Sequence, residues 1–175
     1  DFGDEASRVA VLAYDYTVLA GTQGAFNHEK TDRILELACE WSIPSVFFTE
    51  GGGGRPGDTD MSKIQASSLD VMSFATYAKS SGVAPRIAIN NGRCFAGNAV
   101  FFGCADVTIA TKDSNIGMGG PAMIEGGGLG VYRPEDIGPI NVQTKSGVVD
   151  IAGGEQYGQQ GNRQIAGDFH DGAFL

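Results

Sequence analysis

Apolar and polar positions along this chain switch between strand-like runs and helix-like spacing. Val9 to Leu19 is rich in β-branched and aromatic residues and reads as strand, either one or two short ones with Asp15 near a bend. Gly21 and Gly24 close it. Asn27 is placed as an N-cap, and Ile34, Leu37, Ala38 and Trp41 then recur at helical spacing, which predicts an amphipathic helix over Asn27 to Trp41. After Pro44 the run Ser45 to Phe48 reads as a buried strand. Strand, helix and strand make a β-α-β unit, which predicts a parallel sheet, right-handed crossovers and ligands at the carboxyl ends of strands. A second crossover helix is predicted between Asp60 and Ser81, where Leu69, Met72, Phe74, Ala75 and Ala78 form an approximate stripe that Gly82 stops. Arg86 to Asn90 and Asp106 to Ala110 are the next strands, with an apolar segment, Ala99 to Cys104, between them. There is no long linker and no repeat of fixed period.

Glycine marks the strand ends. The strand Ser45 to Phe48 empties into Gly51-Gly52-Gly53-Gly54, followed at once by Arg55. Without a Cβ such a loop can take positive φ and lets another molecule touch the backbone, and successive N–H groups make an anion-holding concavity. Arg55 is a fixed charge that positions either the loop or a ligand carboxylate. A flexible linker is the plain alternative, but this run caps a Val-Phe-Phe strand. Gly92 to Asn98 repeats the arrangement; if Ala99 to Cys104 is helical, the amides of Ala96 and Gly97 point free N–H groups above the sheet. A third cluster runs from Asn115 to Gly130 and includes Gly119-Gly120-Pro121.

Composition narrows the function classes. The 175 residues suffice for one domain with a real core, and 42% apolar with 19% charged residues is globular. Glycine contributes 27 residues, roughly twice the usual share, without a collagen period. A net charge of −9 argues against a nucleic-acid partner. No apolar run approaches membrane-spanning length, and Asp1, Asp4 and Glu5 lack a signal peptide's basic start. Cys39, Cys94 and Cys104 fit neither a disulfide framework nor zinc-ligand spacing, so reduced thiols in the cytoplasm are expected, with Cys94 and Cys104 as small core residues. Two histidines, His28 and His170, do not make a His-rich metal site. After Ile151 the chain turns Gly- and Gln-rich, and residues 152–175 have no assigned structure.

Two strand-end turns rich in backbone amides are what an oxyanion hole requires, and such a donor typically lowers a barrier by roughly 2.7–4 kcal/mol. Other chemistries lack their marks: no G-x-S-x-G elbow, no Walker A lysine, no dinucleotide fingerprint with its partner acid. Thr49 to Arg55, Gly92 to Ala99 with Asp106 ten beyond Ala96, and Ile116 to Ile124 with Ser146 to Asp150 resemble the carboxyltransferase family of biotin-dependent acyl-CoA carboxylases. Tyr14 to Gly24 is similar to that family's first strand pair. The likeness covers about residues 8–151, in the family's order and spacing, and corresponds to the first of its two crotonase-like domains.

The resemblance implies an α/β fold of the crotonase-like ββα-superhelix type over residues 1–151, with 152–175 a tail. It implies carboxyl transfer from carboxybiotin to the α-carbon of an acyl-CoA such as acetyl- or propionyl-CoA, with biotin on a carrier as substrate and no metal. Ala96 and Gly97 then look like the hole for the thioester enolate, Gly52 and Gly53 like its wall and partner donors. Gly54, Arg55, Gly119, Gly120 and Pro121 lie along the acyl-CoA path. The implied partners are a biotin carboxyl carrier protein, a biotin carboxylase, a second carboxyltransferase domain or subunit, and further copies of the chain; without the second domain, no activity is expected. The pattern departs from the family's usual loop in its all-glycine small positions and in Ala96, which stands at a usual glycine and tightens the turn. Residues 152–175 do not resemble the segment that follows in the family, and the second domain is absent. Two other readings stand beside this one. A crotonase-like hydratase or decarboxylase subunit is the first; a hydratase needs paired glutamates, for which Glu50 and Glu125 are the candidates, both better read as structural. A non-catalytic acyl-CoA-binding fragment is the second.

Overall fold

The computed structural model describes residues 3–55, 57, 58 and 71–153. The first half of the second predicted crossover helix and the tail from 154 onward lie outside them. A short helix α1 (Gly3–Ala6) leads into strand β1 (Ala10–Ala13), helix α2 (Ala25–Trp41) and strand β2 (Ser45–Phe48). Helix α3 (Ser73–Lys79) precedes β3 (Arg86–Asn90), β4 (Arg93–Phe95), α4 (Gly97–Gly103), β5 (Val107–Thr111), β6 (Asn115–Gly117), α5 (Pro121–Gly126), α6 (Ile140–Lys145) and β7 (Ile151–Gly153). The main sheet is parallel, in the order β1-β2-β3-β5-β7, and β4 pairs with β6 in a second, two-stranded parallel sheet. Twice the chain runs a strand in the large sheet, a short strand in the small one and then a helix: β3-β4-α4 and β5-β6-α5. This is the ββα repeat of the crotonase-like α/β fold expected above.

The two sheets share one helix. Phe101 of α4 stacks on Phe47 of β2 at 4.7 Å between centroids and joins the cluster of Leu12, Leu35, Ala38 and Tyr77. Its neighbours Ala99 and Phe102 face the other way, into a cluster with Ala88, Cys94, Ala110 and Ile116. An apolar segment that predicts no single face is therefore a helix buried on two sides. Burying an aromatic of this size contributes roughly 2–3 kcal/mol each. Cys94 and Cys104 take the core positions expected of them, and burial pushes the Cys94 thiol up to about 12, so no thiolate forms there.

Three expectations need correction. The apolar run from Val9 does not continue as strand to Leu19. Asp15 accepts from the amide and hydroxyl of Thr17, and Leu19, Ala20 and Gly21 follow at φ 47°, 56° and 63°, a left-handed turn that β-propensity does not reveal. The first long helix begins at Ala25, with Gly24 and not Asn27 at its N-cap; the capping oxygen comes from Asp58 Oδ2, 2.7 Å from the Ala25 amide. A cap delivered from 33 residues away leaves no local signal. The turn Gly92 to Asn98 contains the strand β4, and the third glycine cluster contains β6 and α5, because a three-residue strand carries too few positions for a period to show.

Arg86 at the start of β3 is 6% exposed and is met from three sides. Its guanidinium donates to both Asp106 oxygens, at 2.6 and 3.1 Å, and to the Tyr77 carbonyl at 2.9 Å, and it lies over the Tyr77 ring. The hydrogen bonds from Arg86 hold the Asp106 carboxyl below its usual range. The folded chain therefore binds that proton more weakly than the unfolded chain, and the stabilisation is present above about pH 4 and lost as pH falls through the depressed value. Asp106→Asn is expected to lower stability at pH 7 and to flatten the acid limb of a urea-unfolding series below about pH 4. An unchanged acid limb contradicts the assignment.

Candidate active site

Beyond the carboxyl ends of β1, β2 and β3 three chain crests lie on one another, closer than a Cβ on the glycines would allow. An alanine Cβ at Gly21 would stand 2.7 Å from the Glu50 carbonyl oxygen. One at Gly51 would stand 2.3 Å from both the Gly21 oxygen and Asn98 Nδ2, and one at Gly53 would stand 2.5 Å from the Ala96 Cβ. Real Cβ atoms do not approach so closely, which is why glycine occupies the opening turn and the loop after β2. The crests are laced by their main chains. Gly51 donates to Arg93 O and Gly51 O accepts from Phe95, both at 2.8 Å; Gln23 donates to Gly53 O at 2.7 Å and accepts from Arg55 at 2.8 Å. The glycine loop is thus a short strand reduced to two isolated bridges, Gly51 with Cys94 and Gln23 with Gly54.

This lacing changes the expected donor set. The Ala96 amide donates to Gly117 O at 3.0 Å, the Gly52 amide to Ala20 O at 3.1 Å and the Gly53 amide to Asn98 Oδ1 at 2.9 Å. These three N–H groups, expected to face a ligand, hold the loops together instead. Among the described residues no partner takes the amides of Gly97, Gly54, Gly119 or Gly120. Gly97 is half-buried beside Gly53, and a Cβ there would stand 2.3 Å from Gln23 Oε1. Gly120, at the N-cap of α5 ahead of Pro121, lies against the Phe95 ring. Gly117 holds Ala96, so Gly119 and Gly120 follow directly from a loop tied to the residue before Gly97.

Side chains at the crests are committed to structure. Arg55 donates to the Thr22 hydroxyl and carbonyl and lies 3.5 Å from the buried Asp58 carboxylate, so of its two readings the loop-positioning one is observed. Glu50 accepts from the Asn91 amide at 2.5 Å, and Glu125 is exposed on α5. Sequence reasoning missed Gln23 and Asn98. Gln23 is 1% exposed, donates from Nε2 to the Tyr14 hydroxyl at 3.0 Å and seats Gly97; Asn98 is fully buried. A carboxamide opening the otherwise apolar run of α4 was the available signal.

Comparison with known proteins decides the family. The profile described as carboxyl transferase domain matches residues 6–165. The chain belongs to the carboxyl transferase domain family. It is 57% identical to a single-chain, multi-domain long-chain acyl-CoA carboxylase of known structure, with a TM-score of 0.78, over 86% of this chain and 14% of that one. It is 32% identical over 117 residues to the methylmalonyl-CoA carboxyltransferase 12S subunit of Propionibacterium freudenreichii subsp. shermanii, which is 67% of this chain and 22% of that protein. Against the acetyl-coenzyme A carboxylase carboxyl transferase subunit beta 2 of Roseiflexus castenholzii it is 26% identical, over 84% of this chain and 48% of that one. The chain thus spans half or less of these carboxyl transferase relatives.

Ala96, beside these crests, is strained. It sits at φ 51°, ψ −121°, a region that costs a residue with a Cβ on the order of 1–3 kcal/mol. Ala96→Gly is expected to stabilise the fold by about 1 kcal/mol, the strain relieved less glycine's extra unfolded-state freedom. Gly51→Ala is expected to destabilise by roughly 3 kcal/mol, because the loop must move off both Gly21 and Asn98. Urea unfolding of both variants checks the pair; Gly51→Ala within 0.5 kcal/mol of the parent, about the spread of ordinary surface substitutions, would contradict the close stacking.

Proposed function

We propose that this chain supplies one half of a carboxyl-transfer site, occupying residues 1–151, and acts in moving a carboxyl group from carboxybiotin to the α-carbon of an acyl-CoA. The observation that carries the reading is the Gly97 amide, left without a partner among the described residues at the meeting of the glycine crests of a carboxyl transferase domain. In this mechanism carboxybiotin, brought as a substrate on a carrier protein, supplies CO2 and a ureido nitrogen that takes the α-proton. The protein then needs no side-chain base, and the crests fit that demand: Glu50 is bonded to Asn91 and Arg55 to Thr22. What this chain contributes is position and charge stabilisation. The Gly97 N–H faces the thioester oxygen as it becomes an enolate, where a fixed dipole with no reorganisation to undergo is worth most. Gly52 and Gly54 are exposed and present bare backbone as the wall, and Gly119, Gly120 and Pro121 flank the acyl-CoA path. The remaining half of the site comes from a second carboxyltransferase domain, so turnover is expected only in its presence, together with a biotin carboxylase and carrier and at least two copies of the chain. The same reading places the protein in the cytoplasm, with its three cysteines as free thiols.

The test is a carboxybiotin-dependent assay of the full-length protein with its second domain and biotinylated carrier. Acetyl-, propionyl- and a long-chain acyl-CoA are offered; the last is included because of the likeness to the long-chain acyl-CoA carboxylase. Malonyl- or methylmalonyl-type products are expected. Binding of acyl-CoA by calorimetry with no carboxylated product from any of them overturns the reading in favour of a binding fragment, and hydration of an enoyl-CoA overturns it in favour of a hydratase. The donor itself is tested in a Gln23→Ala background, which removes the oxygen that any Cβ at position 97 would strike. There Gly97→Ala keeps the N–H and is expected to retain turnover, whereas Gly97→Pro deletes it and is expected to lower kcat about 100- to 1000-fold. Equal rates for the two would remove Gly97 from the site.

A further inference from the structure

The loop that carries Gly52 takes its shape from a side chain 45 residues further on. Asn98 is fully buried in the first turn of α4, between Gly97 and the apolar Ala99. A carboxamide is a poor occupant of an apolar helix, since it loses water and competes with the backbone. Here both of its ends are used. Oδ1 accepts from the Gly53 amide at 2.9 Å and Nδ2 donates to the Glu50 carbonyl at 3.3 Å. One planar group thus joins the two ends of the segment 50–53, doing for this loop what a turn's own backbone hydrogen bond does elsewhere. Nδ2 lies over the Gly51 Cα so closely that a Cβ there would come within 2.3 Å of it. Because Asn98 follows Gly97 directly, the loop and the Gly97 amide are fixed to the same helical turn.

We propose that Asn98 is a positioning residue of the carboxyl-transfer site, its carboxamide setting the distance between the glycine loop and the Gly97 amide. This rests on the function proposed above. Loss of the clamp leaves the acyl-CoA able to bind but puts the wall and the donor out of register, which acts on kcat more than on KM.

The experiment uses the full-length protein with its carrier and second domain. Asn98→Ala is expected to lower kcat about 10- to 100-fold with the KM for acyl-CoA within about threefold. Asn98→Asp keeps the acceptor for Gly53 but sets a carboxylate against the Glu50 carbonyl; protonation restores a donor there. Its kcat relative to the parent is therefore expected to rise as pH is lowered, while that of Asn98→Ala stays flat. Amide hydrogen exchange is read alongside on the unsubstituted protein, where the Gly53 N–H is expected to be protected as strongly as the amides of β3. Asn98→Ala with kcat within twofold of the parent, a loss confined to KM, or a flat pH ratio for Asn98→Asp overturns the proposal. Rapid exchange at Gly53 overturns it even if neither variant folds. A parent protein inactive on every acyl-CoA but protected at Gly53 rejects the function and keeps the clamp, so the two failures are told apart.

Discussion

Backbone passing backbone, closer than any Cβ permits, is the constraint on which this domain's active end depends. Gly21, Gly51 and Gly53 are not loose punctuation between strands. Each lies where a neighbouring main-chain or side-chain atom occupies the space that an added carbon would need. The parallel sheet brings the strand ends to one side, and the ββα repeat turns the chain there repeatedly, but neither sets the spacing of the crests. That spacing comes from main-chain hydrogen bonds between turns together with the Asn98 carboxamide, and those bonds form only if the turns can touch.

The same contacts limit how many amides remain for chemistry. Gly51, Gly52 and Gly53 all spend their N–H groups on neighbouring turns, so close packing and open donors compete for the same N–H groups. Gly52, Gly53 and Ala96 have gone to packing. Gly97 escapes because it is the first residue of α4, where helix geometry provides no acceptor behind it.

Much of this was legible in the residues. The strands Ser45 to Phe48 and Arg86 to Asn90 were readable to the residue, since each is a short run with an apolar centre that follows a proline and has no fully exposed position. The order and spacing of the glycine motifs carried the resemblance to the family, and that resemblance implied the ββα fold. What stayed hidden depends on partners far along the chain. The Asp58 cap on α2, the Asn98 clamp and the choice of which amides point outward are all set by contacts more than 20 residues apart. A glycine motif states that the backbone is approached; it does not state by what. Reading the amides of Gly52, Gly53 and Ala96 as ligand donors therefore assigned to substrate N–H groups that bond a neighbouring loop.

Ala96 shows where the packing and the chemistry meet. An alanine at positive φ is strained, and glycine would relieve it, yet the methyl is set directly against Gly53, 2.5 Å from where a Cβ there would stand. It fills the gap left where a Cβ-free crest faces the β4–α4 turn, and it stands one bond from the peptide plane that carries the Gly97 N–H. Removing it would let that plane rotate over the wider φ range open to glycine. Strain held in one residue thereby narrows the directions in which the neighbouring amide can point, and a donor is useful to a developing oxyanion only if its direction is fixed before the charge appears.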